Sequence, residues 1–239
     1  MEKRTLIHDG VTIKVHLTED PSKVIISFTD EISAFGGIKR AVIKDKGLYC
    51  NGIACLVSKA VQEGGVPTYF IEKYSEREQL CKHVNVIPLQ MIVRNVVAGS
   101  LSQRLGLEEG VIPSSPMFDL CYKSDELGDP MINDYHALAL GLTSRQELDS
   151  IYHYSRRINE ILVPLFEKAG ITLVDFKIEF GRDASGTLML SDDITPDNAR
   201  FWDIATGMRL DKDRFRRDES RVGESYKAVY ERLKKVCEE

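Results

Sequence analysis

No run of about 18 apolar residues occurs in the 239-residue chain, so no segment is expected to cross a bilayer as a helix. The opening residues, MEKRTLIHDG, are charged and lack the apolar centre of a secretory signal. Cysteine is sparse: Cys50, Cys55, Cys81, Cys121 and Cys237 stand at scattered spacings, an odd number with no CxxC pair. That argues against a structural zinc site and a disulfide framework, and fits reduced thiols in a cytoplasmic protein. Basic charge is not in excess, because the net charge is −5. Non-specific nucleic-acid binding is therefore not expected as the main activity. Internal repeats, low-complexity tracts and long linkers are also missing.

What is present describes a folded chain with a sizeable core. With 43% hydrophobic and 29% charged residues, it fits one large domain or two tightly joined subdomains. Residues 6–16, LIHDGVTIKVH, predict a hairpin. Asp9-Gly10 supplies the turn pair, Val11, Ile13 and Val15 alternate with polar residues, and Gly10 is expected at the tip with positive φ. SKVIISF (22–28), VPTYFIEKY and VIPLQMIVRNVV read as strands, and 51–64 as a helix ending at Gly64-Gly65. Residues 98–140 hold few apolar runs and read as a long functional connection. A strong helix follows, with Thr143-Ser144 and Glu147 as a capping box and a stripe of Leu148, Ile151, Ile158, Ile161 and Leu165. Pro164 is a candidate kink and Gly170 the stop. The hairpin LVDFKIEFG/TLMLSDD and a C-terminal helix, SYKAVYERLKKV, complete an α+β pattern.

Four clusters carry candidate chemistry. In LVDFKIEFG, strand alternation puts Asp175, Lys177 and Glu179 on one face and Val174, Phe176, Ile178 and Phe180 on the other. The return strand brings Asp192 or Asp193 beside the charged face. Carboxylates gathered around one lysine repel unless a cation sits among them, and oxygen ligands suit Mg²⁺. In VRNVVAGS, Arg94 interrupts an apolar strand and needs an anionic partner, internal or bound. Ala98, Gly99, Ser100 and Arg104 beside it could form a phosphate cradle. CYKSDELGDPMIND offers Lys123 with Asp125, Asp129 and Asp134, and a Gly128-Asp129-Pro130 turn would fix Asp129. DKDRFRRDES (211–220), rich in basic and serine donors on an acidic chain, reads first as a solvated, self-neutralising charge run.

The segments VVRNVVAGSLSQRLGLEEG, YKSDELGDPMIND, LVDFKIEFG, SDDITPDNARFWD and LDKDRFRRD stand in an order and spacing that resemble the phosphoribosylaminoimidazole-succinocarboxamide synthase (SAICAR synthetase) family. The likeness runs from about residue 20 to the C-terminus. It implies an ATP-dependent ligase of purine biosynthesis, joining L-aspartate to 5-aminoimidazole-4-carboxylate ribonucleotide through an acyl phosphate. The implied fold has two subdomains around an ATP-grasp-like cleft, placed here at 1–90 (β-rich roof over ATP) and 91–239 (substrate and metal). By resemblance, Glu179 and Asp192 hold Mg²⁺ against the ATP phosphates. Lys177 and Lys123 neutralise phosphate or carboxylate oxygens, and Asp175 and Asp129 position substrate or a second metal. Arg94, Ser100 and Arg200 grip the ribonucleotide, Lys212 and Arg216 lie on the substrate side, and Gly10 and Lys14 belong to the nucleotide roof. The family often associates, so a homo-oligomer is compatible with the chain.

Departures from the family pattern concentrate at the roof. The family hairpin reads close to G-K-A-K-x-V-Y, whereas this chain has Gly10-Val11-Thr12-Ile13-Lys14-Val15-His16. Lys14 falls one place after the second lysine and, in a strand, faces the other way unless a bulge re-aims it. Gln90 replaces a usual Glu, Cys50 a usual Asn, and Asp193 a usual Glu. Besides the purine ligase, these changes leave open an amide ligase with altered substrates and a nucleotide-binding homologue without turnover.

Overall fold

The computed structural model describes residues 2–238, with every side chain among them except that of Asp125. The expected part of Asp125 in the acidic loop thus lies outside the described residues. The N-terminal strands β1 (Leu6–Asp9), β2 (Ile13–Leu17) and β3 (Lys23–Phe28) are followed by a separate hairpin, β4 (Glu31–Ala34) and β5 (Lys39–Val42). Helix α1 (Lys46–Glu63) leads to β6 (Phe70–Ser75) and β7 (Glu78–Lys82). Together they make a five-stranded antiparallel sheet in the order β1-β2-β3-β7-β6.

The second sheet begins at β8 (Asn85–Arg94), so the expected division at residue 90 falls inside a strand. The sheets change between Lys82 and Asn85. After α2 (Ser100–Leu105) come β9 (Met117–Tyr122), β10 (Met131–Ile132), α3 (Asp134–Ala139) and α4 (Arg145–Lys168). The chain then runs through β11 (Ile171–Arg182), β12 (Leu188–Leu190), β13 (Ala199–Asp203), α5 (Asp213–Arg216) and α6 (Val222–Glu238). Sheet order is β10-β9-β8-β11-β12, with β13 paired to the first half of β11. The stretch 98–140 is therefore not a bare connection. Its strand β9 escaped the pattern because Asp119 interrupts its apolar residues, yet Leu120 and Cys121 are buried.

Helix α4 packs on β11 through Leu148, Ile151, Ile158, Leu162 and Phe166. Ile161 and Leu165 are only partly buried, because the helical period carries the stripe from Ile158 to Leu162 and Phe166. Ser144 caps the helix by accepting the Glu147 N–H at 3.2 Å. The Glu147 carboxylate does not return to the cap: it accepts the Thr143 hydroxyl and two Arg182 N–H groups. Helix α4 continues through Pro164 to Lys168, and Gly170 (φ 69°) follows its end.

Candidate functional site

A cleft of about 960 Å³ lies between the two sheets. Its roof is largely apolar, with Val11, Ile13 and Val15 from the first hairpin and Val24, Ile26 and Phe28 from β3, and with His8, Asp9 and Thr12 at the hairpin's turn. Gly10 borders the cleft, but its φ is not positive. Glycine is required there for space, since a Cβ would sit 2.7 Å from His8 Nε2 and 2.9 Å from the Ile13 carbonyl oxygen. Lys14 does not line the cleft. Strand alternation sends it to the opposite face of β2, where its Nζ pairs with Asp9 at 2.8 Å. The bulge in this hairpin lies between Leu6 and His8 and does not re-aim Lys14.

The floor is built on β11 and β8, which pair with Asp175 opposite Arg94 and Glu179 opposite Gln90. Asp175, Lys177 and Glu179 face the cleft as alternation requires. A bulge between Leu173 and Asp175 takes Val174 out of the main core, into a small cluster with Val96 and Ala98. Leu173 takes the core face instead.

At one end of the floor, arginines and acids interlock. Arg94 donates to Asp119 Oδ2 at 2.6 Å, Asp175 Oδ2 at 3.1 Å and Ser100 Oγ at 3.2 Å. Arg200 donates to Asp175 Oδ2 at 2.8 Å and Asp213 Oδ2 at 2.7 Å, and Arg216 to Asp213 Oδ1 at 2.5 Å. Arg104 closes on Asp119. Asp175 therefore orients two guanidinium groups instead of joining a cation cluster. Burial raises its pKa, while Arg200 and Arg94 oppose the rise.

At the other end, Lys123 and Lys177 both contact Glu179, whose Oε1 also accepts the Gln90 amide at 3.2 Å. Burial and then the neighbouring Glu179 push Asp192 up to about 7. Its Oδ2 is buried without a hydrogen-bond partner, as is Ser191 Oγ. Asp193 also lines the cleft but is engaged from behind, accepting the Gln79 amide at 2.6 Å, and burial raises it to about 6. Asp129 sits at φ 52° after Gly128 at φ 69°, and its Oδ1 accepts the Ser124 N–H at 2.9 Å. Among the described residues, no group of three or more His, Cys, Asp or Glu side chains is arranged to hold a metal ion. Glu179 and Asp192 both line the cleft, and one or two carboxylates suit Mg²⁺ when phosphate oxygens and water complete its shell.

Of the residues given roles by resemblance, all but Lys14 line this one cleft, including Lys212 and Arg216 from the charge run. Of the other candidates, Ala98, Gly99, Arg104 and Asp134 do not, Arg104 pairing with Asp119 and Asp134 with Arg145 and Tyr152. Sequence reasoning missed His8, Lys82, His83, Tyr69, Asp197 and Asn198 on its walls. It also missed Lys46, fully buried behind the wall against Asp197. The one signal for these two was their position, Lys46 opening a helix and Asp197 within SDDITPDNAR.

Residues 6–233 match the SAICAR synthetase family model. The phosphoribosylaminoimidazole-succinocarboxamide synthase of Clostridium beijerinckii is 47% identical over 235 residues, covering 98% of this chain and 100% of that protein. The crystal structure of the Ehrlichia chaffeensis synthase superposes with a TM-score of 0.94 at 41% identity, over 96% of this chain and 98% of that one. A SAICAR synthetase in complex with ADP superposes with a TM-score of 0.91 at 43% identity, over 95% of this chain and 96% of that one.

Proposed function

The chain belongs to the SAICAR synthetase family, and from that premise we propose how its cleft divides the labour of an ATP-dependent ligation. The reaction is a step of purine biosynthesis: ATP activates the carboxylate of an imidazole ribonucleotide, and the amine of L-aspartate captures it. The products are the succinocarboxamide nucleotide, ADP and phosphate. A carboxylate is a poor electrophile because its charge is delocalised, and phosphorylation converts it to an acyl phosphate with a good leaving group. Catalysis of such a transfer is mostly positioning and charge neutralisation.

The observation that carries the assignment of roles is the polarity of the floor, arginine-rich at one end and lysine–carboxylate at the other. Arg94, Arg200 and Ser100 bind the ribonucleotide, with Ser100 at its phosphate. Asp175 and Asp119 keep the guanidinium groups in place, so little side-chain ordering remains for binding. The apolar roof covers the nucleotide base.

Glu179 and Asp192 are the residues that would hold Mg²⁺; the unpartnered Asp192 Oδ2 fits that role. When bound, Mg²⁺ neutralises phosphate oxygens during transfer. Lys123 and Lys177 flank the same position and stabilise charge on the transferring group. Asp129, fixed by its turn, orients substrate. Lys212 and Arg216 complete the substrate side.

The test is turnover by purified protein given ATP, Mg²⁺, the carboxylate ribonucleotide and L-aspartate. ADP should form only with both cosubstrates present, and no ADP, or ADP formation indifferent to aspartate, overturns the reading. Glu179→Gln and Asp192→Asn should each abolish Mg²⁺-dependent turnover, and near-normal activity in either removes it from the metal site.

A further inference from the structure

Lys46, the first residue of α1, is 0% exposed and places its Nζ 2.5 Å from Asp197 Oδ2. Asp197 is held from two further sides, by the Tyr226 hydroxyl on Oδ1 at 3.0 Å and by the Cys50 thiol on Oδ2 at 3.7 Å. Lys46, Cys50 and Tyr226 are all fully buried, whereas Asp197 lines the cleft. Burying an ion pair in this way contributes little to stability, because desolvation of both charges offsets their attraction. Packing alone therefore gives no reason for a charged lysine here.

What lies on the cleft side of Asp197 supplies one. The Lys212 N–H donates to the Pro196 carbonyl at 3.0 Å, which fixes the start of α5 directly against the 196–197 segment. Lys212 lines the cleft, half-buried, and feels Asp197 more than any other charge, yet among the described residues it makes no ion pair with a carboxylate. The other substrate-side cations are all committed: Arg94 to Asp119 and Asp175, Arg200 to Asp175 and Asp213, Arg216 to Asp213.

We propose that Lys46 is a positioning residue that holds and neutralises Asp197 from behind, so that Asp197 does not capture Lys212. Lys212 is thereby kept open as the anion receptor on the substrate side of the cleft. The charge balance agrees. Against the penalty of burial, Lys46 ahead of Lys212 keeps Asp197 below the usual carboxylate range. Burial lowers Lys212 against the pull of Asp197, and the cations Arg216, Lys46 and Lys177 around it add to the lowering. An ammonium so placed gains by meeting an acid from outside, and both the ribonucleotide and L-aspartate bring one. The inference rests on the ligase reading for its assay and for the choice of ligands, not for the geometry.

The experiment compares wild type, Lys46→Met and Lys46→Met/Asp197→Asn. Without Lys46, Asp197 closes on Lys212, and KM for one acidic substrate should rise about ten- to a hundredfold, as loss of a charge-assisted contact does. KM for ATP should stay within about twofold of wild type. Which KM moves, that of the ribonucleotide or of aspartate, identifies the anion. Removing Asp197 as well frees Lys212, so the double variant should recover most of the lost affinity. A merely structural Lys46 predicts no such recovery. Should Lys46→Met not fold, Lys46→Gln keeps a hydrogen bond to Asp197 without its charge and carries the same expectation. An unchanged KM in the single variant, a rise shared by ATP, or a double variant as weak as the single each overturns the proposal. Absence of turnover in the wild type would instead count against the ligase reading, and calorimetric titration of each acidic substrate would still compare the three proteins.

Discussion

Gly99 stands where the backbone leaves β8 for α2, with φ 55° and ψ −128°, a region that only glycine enters without strain. A Cβ there would lie 2.4 Å from Arg200 Nη2 and 2.8 Å from its Cζ. The guanidinium thus packs on bare backbone, and that contact sets its approach to Asp175 and Asp213. Gly99→Ala should cost about 1–3 kcal/mol in backbone strain alone and push Arg200 off its acids. The expected result is a lower melting temperature together with a kcat/KM for the ribonucleotide reduced about tenfold or more. Asp211 shows a different residue-level effect. Its carboxylate accepts the Phe201 and Asp213 N–H groups at 2.8 Å each, but burial, followed by the nearby Asp213, raises it to about 7. The folded chain therefore binds more protons than the unfolded one between about pH 4 and pH 7. Asp211's contribution to stability is full below that window and is lost as pH rises through it. Asp211→Asn should flatten this part of the pH dependence, as read from urea midpoints at about pH 5 and about pH 7.

At the scale of elements, the β1–β2 hairpin decides what a nucleotide bound in the proposed arrangement would meet from above. The period of two places Ile13 and Val15 in the cleft and Lys14 outside it. The Ile13→Lys variant should add a charge-assisted contact of about 1.5–3 kcal/mol and lower KM for ATP by about tenfold or more. An unchanged KM would mean that the phosphates are gripped from the floor alone. The same period made the triad Asp175, Lys177 and Glu179 legible in the sequence, because alternation is a local rule that survives in any strand. Other features were hidden because their cause is distant in the chain. The bulge that re-routes Val174 arises where β13 pairs with β11. Glu147 leaves its expected cap because Arg182, far along the chain, offers two N–H donors. Arg94 could be read as needing an anion, but not that Asp119 and Asp175 would both answer. Lys46 and Asp197 meet only after α1 and the 196–197 segment have packed on α6, so no spacing announced them.

For the whole molecule, the decisive element is α1, which belongs to two cores at once. Cys50, Ala54 and Cys55 pack with β3, β7 and Tyr226, while Ile53, Val57 and Val61 pack with α4 and the second sheet. A shared helix couples the two sheets, and the cleft between them is lined from both. A ligand bound there contacts roof and floor together, so its binding energy appears as stability of the entire fold. Linkage gives about 2.7 kcal/mol when ligand exceeds its Kd a hundredfold. ADP with Mg²⁺ should therefore raise the temperature of a single cooperative unfolding transition. Chelation should remove most of that rise, because Glu179 and Asp192 would then face the nucleotide's phosphates with no cation between them, leaving Lys123 and Lys177 already engaged with Glu179. A nucleotide-induced rise that survives EDTA would show that these two carboxylates do not hold the metal. A separate early transition would show that α1 does not bind the sheets into one unit.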